Sequence, residues 1–348
     1  MFSILKPYIF SLDPEVAHDL AIKSLKLNVI PKSFFQVEGE EMLETELFKR
    51  KLKNPIGLAA GFDKSAEVYN SLFKLGFGFV EVGTITPRRQ IGNPKPRIFR
   101  LERDKAMINR LGFNNDGMED ISERLTRNPP EDFLGINIGP NKDTKDKISD
   151  FIKCFDKLNE LARYITVNIS SPNTEGLRDF HDEKLLSDLL SKLNNLKKNK
   201  KIQCPIVLKV SPDIEDKEIS NINELISKFK IDGIILTNTT NQNREHLSDI
   251  KKNEVGGLSG SPLQKISLRL IRSFYKSNKG KIPIIGVGGV DNGQSAFEKI
   301  AAGSTAVQLY TGMIYNGPTI VKDIKKELIR ILKNKKIKNI QEAVGITS

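Results

Sequence analysis

Eight short β-rich runs alternate with helical patterns between residues 55 and 332 of this 348-residue chain. Strand–helix alternation predicts a parallel sheet, because each helix carries the chain back to start the next strand in the same direction. Eight units in about 280 residues match the size of a (β/α)8 TIM barrel. A doubly wound sheet is the alternative, but no G-x-G-x-x-G motif follows the first strand. The predicted strands are Pro55–Ala59, Phe77–Gly83, Leu134–Ile138, Tyr164–Ile169, Pro205–Val210, Gly233–Leu236, Pro283–Val287 and Ala306–Tyr310.

The helical patterns fall between these strands, and two connections are unusually long. Residues 86–100 and 238–260 exceed the usual length of a connection in a compact domain, and such loops are commonly functional. The predicted helices are Lys64–Leu75, Gly117–Leu125, Ile148–Ala162, Glu183–Leu196, Asp216–Lys228, Leu263–Ser277, Gly293–Ala302 and Pro318–Leu332.

The composition is that of a soluble globular protein, with 38% hydrophobic and 28% charged residues. Cys154 and Cys204 form no C-x-x-C pair, and the three histidines stand in unrelated contexts, so we expect neither a disulfide scaffold nor a metal site. The net charge of +12 favours anionic partners, but it is spread through a Lys-, Asn- and Ile-rich sequence. No apolar run is long enough to predict a transmembrane helix.

Residues 1–45 precede the first barrel strand and read as a separate small helical extension. Asp13 is the predicted N-cap of a helix that begins at Pro14, and an apolar cluster stands before it. The segment is either a cap packed on the barrel or an amphipathic pair of helices that dips into a membrane surface. Residues 1–50 carry eight acidic and six basic side chains, so membrane binding here would be apolar rather than polybasic.

The ends of the predicted strands carry the chemistry. In a barrel these ends meet at the active-site face. All eight ends are polar or glycine-rich and none carries a pair of carboxylates, which excludes the two-carboxylate glycosidase pattern. Amides, hydroxyls and two lysines suit a planar, anionic ligand, and the glycines after strand seven and Tyr310–Gly312 after strand eight lie where barrels bind phosphate. A phosphorylated planar cofactor such as FMN fits this set.

Nine motifs, in order along nearly the whole chain, resemble the dihydroorotate dehydrogenase family in its membrane-associated, quinone-dependent class. The resemblance implies a barrel with one FMN that oxidises (S)-dihydroorotate to orotate in de novo pyrimidine (UMP) synthesis and passes the electrons to a quinone. The motifs are Leu58–Lys64 (LAAGFDK), Asn93–Leu101 (NPKPRIFRL), Asn109–Asn115 (NRLGFNN), Gly135–Lys142 (GINIGPNK), Asn168–Leu177 (NISSPNTEGL), Leu236–Thr240 (LTNTT), Gly256–Gly260 (GGLSG), Ile285–Gly289 (IGVGG) and Val307–Gly312 (VQLYTG).

The same resemblance assigns residues to roles. The catalytic base is Ser171, where soluble relatives place cysteine. The residues matching FMN-binding positions are Ala60, Gly61, Phe62, Asp63, Lys64, Thr84, Asn137, Asn168, Lys209, Thr237, Gly260, Gly289, Tyr310 and Thr311. The residues matching substrate positions are Lys64, Asn109, Arg110, Leu111, Gly112, Phe113, Asn168, Asn173, Asn238 and Thr239. The residues matching quinone-headgroup positions are His18, Arg100 and Tyr310.

The implied reaction removes a proton from C5 of dihydroorotate to Ser171 and a hydride from C6 to flavin N5. A free serine is a weak base, so we expect a water chain or a neighbour such as Thr174 to assist it. Lys209 is expected near the flavin N1–C2 edge, where negative charge accumulates on reduction.

The resemblance also implies an organisation of the chain. Residues 1–45 would line the membrane and quinone access path, residues 46–334 would form the FMN barrel, and residues 335–348 would be a basic tail. We expect a monomer attached peripherally to the cytoplasmic side of the inner membrane, in contact with the membrane quinone pool and with no nucleic acid.

Two other functions compete with this one. A tRNA dihydrouridine synthase is also an FMN barrel, and the positive net charge would suit RNA. That family has a cysteine at its acid site and an RNA-binding domain, and neither has a counterpart here. A non-catalytic basic barrel would require degraded strand ends, whereas all eight ends are intact.

Overall fold

The predicted barrel is present in the computed structural model, which describes residues 2–29 and 31–348. Eight parallel strands close into a ring in which each barrel strand lies beside the next one in sequence. All eight predicted strands are confirmed, and no boundary differs by more than two residues. The strands in chain order are β1 (Thr45–Leu47), β2 (Arg50–Leu52), β3 (Ile56–Leu58), β4 (Phe79–Ile85), β5 (Ile98–Leu101), β6 (Ala106–Asn109), β7 (Leu134–Ile138), β8 (Tyr164–Asn168), β9 (Ile206–Val210), β10 (Gly233–Leu236), β11 (Gly257–Gly260), β12 (Ile284–Val287) and β13 (Ala306–Leu309). The barrel consists of β3, β4, β7, β8, β9, β10, β12 and β13.

The helices surround the barrel. One starts five residues later than predicted, and the helix predicted to run to Ala162 ends at Leu158. The first barrel helix begins at Tyr69 rather than Lys64, because the Asp63 carboxylate accepts hydrogen bonds from the N–H groups of Glu67 and Val68 at 2.8 Å each and holds this segment as a loop. The helices are α1 (Phe2–Ser11), α2 (Pro14–Lys26), α3 (Tyr69–Lys74), α4 (Met118–Arg127), α5 (Lys147–Leu158), α6 (Glu183–Asn199), α7 (Asp216–Lys228), α8 (Gln264–Asn278), α9 (Gly293–Ala301), α10 (Thr311–Asn316) and α11 (Ile320–Lys335).

The two long connections form one structure. β5 and β6 pair as an antiparallel hairpin, and β11 joins the outer edge of β6 with Leu258 opposite Ile108. Phe99 and Leu101 pack with these residues in a small apolar core of their own. The sequence marked both segments as long loops but did not predict that they pair, because the partners lie about 150 residues apart and no local pattern links them.

The N-terminal helices pack against the barrel and leave apolar side chains in solvent. The predicted N-cap is confirmed, since Asp13 accepts hydrogen bonds from the N–H groups of Glu15 and Val16. Glu15 also forms an ion pair at 2.5 Å with Arg97, the residue that precedes β5. On α1, Ile4 and Tyr8 are more than 70% exposed. None of the described helices combines the length and apolar character that crossing a membrane requires.

The opposite end of the barrel is closed by the β1–β2 hairpin. Leu47 and Leu52 of this hairpin pack with Phe79 and Tyr164 at the barrel floor. Residues 335–348 also lie against the barrel, where the N–H groups of Gly345 and Thr347 donate to carbonyls at the end of α9.

The buried Lys299 of α9 should make the free energy of unfolding depend on pH. Its side chain is fully buried, Nζ has no hydrogen-bond partner in the structure, and burial lowers the pKa of this lysine to about 7. Lys299→Met is expected to raise the free energy of unfolding by about 1 to 4 kcal/mol at neutral pH, because it removes an unpaired buried amine. Above pH 7 the unfolded chain holds a proton that the folded wild type does not, so the stability of the wild type rises until about pH 10.4.

Urea unfolding of Lys299→Met and wild type from pH 6 to 10 measures this effect. The increase in the free energy of unfolding of Lys299→Met over wild type is expected to be largest at pH 7 and below and to shrink as the pH rises. A gain that stays constant across this range would contradict the account.

Candidate active site

Two adjoining cavities open at the carboxyl ends of the barrel strands. Each encloses about 660 to 670 Å³ of empty space, part of it open to solvent. The five residues that line both cavities are Ala60, Lys209, Asn238, Thr239 and Tyr310. We name the first the glycine cavity and the second the asparagine cavity after the residues that distinguish them. The glycine cavity is also lined by Thr237, Gly260, Gly288, Gly289, Gln308 and Thr311, among others. The asparagine cavity is also lined by Gly61, Lys64, Thr84, Asn109, Leu111, Gly112, Phe113, Asn114, Asn168, Ser171 and Asn173, among others.

The glycine cavity depends on two glycines with positive φ. Gly260 has φ 99° and Gly289 has φ 77°. A Cβ at Gly260 would lie 2.4 Å from the Lys105 carbonyl oxygen, and one at Gly289 would lie 2.9 Å from the Gln264 backbone nitrogen. Only glycine satisfies both the backbone conformation and the available space. The wall is therefore exposed main chain, which suits the close approach of a phosphate or a planar ring.

Ser171 lies in the asparagine cavity, on the loop that follows β8. Its Oγ accepts a hydrogen bond from the Asn173 N–H at 3.2 Å, and its side chain is almost fully buried. Asn173 Nδ2 in turn donates to the Asn109 carbonyl at 3.0 Å. These bonds join the β8 loop to the end of β6 and bring a hydroxyl and two side-chain amides into one pocket. Thr174, the predicted helper of the base, is also buried.

A hydrogen-bonded chain continues from the asparagine cavity into the barrel interior. Asn168 Nδ2 donates to Asn137 Oδ1 at 3.1 Å, and Asn137 Nδ2 donates to Glu81 Oε1 at 2.8 Å. Sequence reasoning missed Glu81, although a charged residue within the apolar run Phe79–Val82 was a signal that this position faces the barrel interior. It also missed Gln308, which lines the glycine cavity and hydrogen-bonds to Glu81.

The two lysines of the site, Lys209 buried and Lys64 partly exposed, are easier to deprotonate than free lysine. Burial lowers the pKa of Lys64 to about 8, an effect that the charge of Glu15 opposes. Burial also lowers the pKa of Lys209, and the charge of Glu81 opposes that shift. The site therefore places two cationic groups in a poorly hydrated pocket, where their interaction with an anion is strong.

Several predicted residues lie beside the cavities rather than on their walls. Phe62 packs edge-to-face against His18 and Tyr310, while Asp63 is turned into its own loop. Arg110 is paired with Glu254 at 2.8 Å. The residues among the predictions that line neither cavity are Phe62, Asp63, Asn137, Arg110, His18 and Arg100.

The predicted quinone residues meet the N-terminal helices. Burial, with help from the charge of Lys64, lowers the pKa of His18 to about 3, so this ring is neutral at physiological pH. Arg100 donates to the carbonyls of Phe10 and Leu12 at 3.1 and 2.9 Å and lies over the Phe10 ring. Tyr310 is the one member of the three that reaches the cavities.

Comparison with known proteins decides the family. The sequence model described as dihydroorotate dehydrogenase matches residues 42–332. The chain belongs to the dihydroorotate dehydrogenase family. That assignment agrees with the barrel, with the asparagine-lined pocket and with the motifs at the strand ends.

The similarity to individual members of the dihydroorotate dehydrogenase family extends over nearly the whole chain. The dihydroorotate dehydrogenase (quinone) of Christiangramia forsetii is 46% identical over 336 residues, which are 94% of this chain and 98% of that one. The mitochondrial dihydroorotate dehydrogenase (quinone) of Mus musculus is 44% identical over 345 residues, covering 96% and 87% of the two chains. The solved ligand-free structure of DHODH from Eimeria tenella superposes with a TM-score of 0.90 at 38% identity and covers 96% and 99% of the two chains.

Proposed function

We propose that this protein oxidises (S)-dihydroorotate to orotate with a bound FMN and transfers the electrons to a quinone, as a step of pyrimidine synthesis. The observation that carries the proposal is the position of Ser171 in a pocket of asparagine amides that adjoins a glycine-walled cavity, with Lys209 shared between the two. A proton acceptor, an amide-rich recognition surface and a cofactor cavity are thereby in contact.

The glycine cavity fits FMN on three grounds. Its wall of positive-φ glycines leaves main chain where a phosphate and a ring need close approach. Lys209 supplies a cation beside the cavity. Gln308 Oε1 is buried and has no hydrogen-bond partner among the residues that the structure describes, and an N–H donor of a flavin pyrimidine ring would satisfy it. When bound, FMN supplies the two-electron acceptor for the substrate and the donor for the quinone.

Within the asparagine cavity, Ser171 Oγ would take the proton from C5 of dihydroorotate. Burial of the hydroxyl excludes bulk water, and the Asn173 N–H donates to Oγ, which stabilises negative charge on that oxygen. Thr174 and a water chain are the proposed route by which the proton then leaves.

The remaining side chains would hold the substrate. The amides of Asn109, Asn173 and Asn238 can each donate and accept, which matches the imide edge of dihydroorotate. Lys64 would pair with its carboxylate. Because burial lowers the pKa of Lys64 to about 8, we expect substrate affinity to fall as the pH rises above 8.

The N-terminal segment would bring the quinone to the barrel. His18 of α2 packs against Phe62, and Phe62 packs against Tyr310 on the cavity walls. Arg100 donates to the carbonyls of Phe10 and Leu12, and the exposed apolar side chains of α1 suit a membrane surface. We therefore propose peripheral attachment to the cytoplasmic side of the inner membrane, with residues 1–45 as the access segment, 46–334 as the catalytic barrel and 335–348 as the basic C-terminal tail. The proposed active form is a monomer.

Removing residues 1–28 tests the role of the extension. The cut keeps Phe35 and Leu43, whose side chains are buried in the barrel core. Dihydroorotate is expected to bleach the flavin at the wild-type rate, whereas reoxidation by a ubiquinone analogue is expected to lose most of its rate. Stopped-flow measurement of the two half-reactions separates these effects.

Fumarate and NAD serve as alternative acceptors in the same experiment, and both are expected to be inactive with the full chain. Equal loss of both half-reactions in the truncated protein would mean that the extension is a structural cap. Faster turnover with fumarate or NAD than with the quinone would overturn the proposed acceptor.

A further inference from the structure

Glu81 lies at the centre of the barrel with no exposure to solvent and accepts four hydrogen bonds. Asn137 Nδ2 donates to Oε1 at 2.8 Å. Tyr164, Thr166 and Gln308 donate to Oε2 at 2.9, 3.1 and 3.0 Å. These donors are neutral and come from three other barrel strands. Burying a carboxylate among neutral donors costs free energy of desolvation, which suggests that its bonds serve a purpose beyond packing.

The carboxylate fixes which way the neighbouring amides point. A carboxylate only accepts hydrogen bonds, so Asn137 must turn its –NH₂ group towards Glu81 and its oxygen away. That oxygen accepts from Thr84 Oγ1 at 2.6 Å and from Asn168 Nδ2 at 3.1 Å. The orientation of Asn168 is therefore also determined, because its –NH₂ group meets the oxygen of Asn137.

The same direction continues to the substrate side. Asn168 Oδ1 faces away from the barrel centre and accepts from Ser170 Oγ at 2.9 Å and from Asn238 Nδ2 at 3.3 Å. Three asparagine amides in series thus each donate towards Glu81. Reversal of the Asn137 amide would place its oxygen against the Glu81 carboxylate and its –NH₂ group against the –NH₂ group of Asn168. Reversing Asn168 as well would only move the donor–donor mismatch on to Asn238.

A second branch leads to the glycine cavity. Gln308 donates through Nε2 to Glu81, so its oxygen must point elsewhere, and this Oε1 is the buried atom that has no partner. Gln308 lines the cavity proposed to hold FMN. One carboxylate therefore sets the donor and acceptor pattern at the cofactor side and at the substrate side together.

We propose that Glu81 is a positioning residue that sets the hydrogen-bond polarity of both pockets, presenting Gln308 as an acceptor to the cofactor and Asn168 as an acceptor to the substrate-side amide Asn238. The part of this inference that concerns the cofactor rests on the proposed function. The polarity of the amide series is a property of the protein itself.

The test exchanges donor and acceptor within the series. A glutamine at position 81 must present –NH₂ either to Asn137 or to Gln308, so Glu81→Gln is expected to weaken FMN binding about tenfold or more through a buried donor–donor mismatch. Asn137→Asp alone places a second carboxylate against Glu81, and its FMN binding is expected to be at least as weak as that of Glu81→Gln. In the double variant Glu81→Gln/Asn137→Asp the two groups exchange roles, and the amide now donates to the carboxylate. Thr84 and Asn168 again meet an acceptor.

Thr166→Val is the matched control, because Thr166 contacts Glu81 without belonging to the amide series. It is expected to lower stability and to leave FMN affinity close to that of the wild type. FMN affinity is measured by fluorescence titration, and the free energy of unfolding is measured by urea denaturation of the flavin-free proteins, in a double-mutant cycle.

The inference is supported if the double variant is closer to wild type than either single variant in both measurements. It is overturned if the losses of the two single variants add, or if Glu81→Gln binds FMN like the wild type. Should Glu81→Gln fail to fold, the double variant still decides, since a folded double variant that binds FMN requires the exchanged polarity. A wild type that binds no FMN would refute the proposed function, while the flavin-free cycle would still decide the amide polarity.

Discussion

Ser171→Ala is expected to slow the reduction of bound flavin by dihydroorotate about a hundred- to ten-thousandfold at neutral pH, the range for loss of a positioned base. The hydroxyl is the proposed acceptor of the C5 proton, and within the described residues its hydrogen bond comes from the backbone N–H of Asn173 rather than from a titratable side chain. Flavin affinity is expected to be unchanged, because Ser171 lines the asparagine cavity and not the glycine cavity. Stopped-flow absorbance at saturating dihydroorotate measures the rate, and a flavin titration measures the affinity.

Ser211→Ala is the matched control for that substitution. Ser211 is a buried serine at the neighbouring strand end, its Oγ accepts from the Asp213 N–H, and it lines neither cavity. Its flavin should be reduced at nearly the wild-type rate. Reduction of the Ser171→Ala flavin at the wild-type rate would remove Ser171 from the role of base.

Lys209→Met is expected to weaken FMN binding and to lower the midpoint potential of the flavin. Lys209 is buried on the wall between the two cavities, where burial lowers its pKa and the charge of Glu81 opposes that shift. A cation about 4 Å from a developing anion contributes about 4 kcal/mol at an effective dielectric constant of 20. Loss of this charge should weaken the binding of reduced FMN more than that of oxidised FMN. For a two-electron couple, each tenfold change in the ratio of these two affinities shifts the midpoint potential by about 30 mV.

Lys299→Met provides the control, since it also removes a buried lysine but at a position that lines neither cavity. Spectroelectrochemical titration of both variants compares their midpoint potentials. The account requires a drop of about 30 mV or more for Lys209→Met and no shift for Lys299→Met. Equal potentials in both variants and the wild type would mean that Lys209 does not act on the flavin.

The barrel and most of its site follow from local patterns. Each buried strand ends where polar or glycine residues begin, so the eight strands and their functional ends can be read from short windows of sequence. Barrel closure then brings those ends together without further information, which is how Asn168 of β8 comes to lie opposite Lys209 of β9. Asn168, Ser171 and Asn173 stand at such a strand end, whereas their roles were assigned by the resemblance to a family.

Features that depend on contacts distant in sequence could not be found in this way. The sheet of β5, β6 and β11 joins segments about 150 residues apart. Glu81 gave a local signal, but its meaning depends on donors from three other strands, including Gln308 more than 200 residues away. Asp63 illustrates a smaller failure: its hydrogen bonds to the next turn of chain replaced a predicted helix start with a loop.

The flavin spectrum of the purified protein tests the central claim most directly. Protein prepared with ample FMN should be yellow, with the absorbance of oxidised flavin, and anaerobic addition of dihydroorotate should bleach it. A ubiquinone analogue should then restore the colour. A protein that stays colourless in the presence of FMN, or one whose flavin is not bleached by dihydroorotate, would contradict the proposed function.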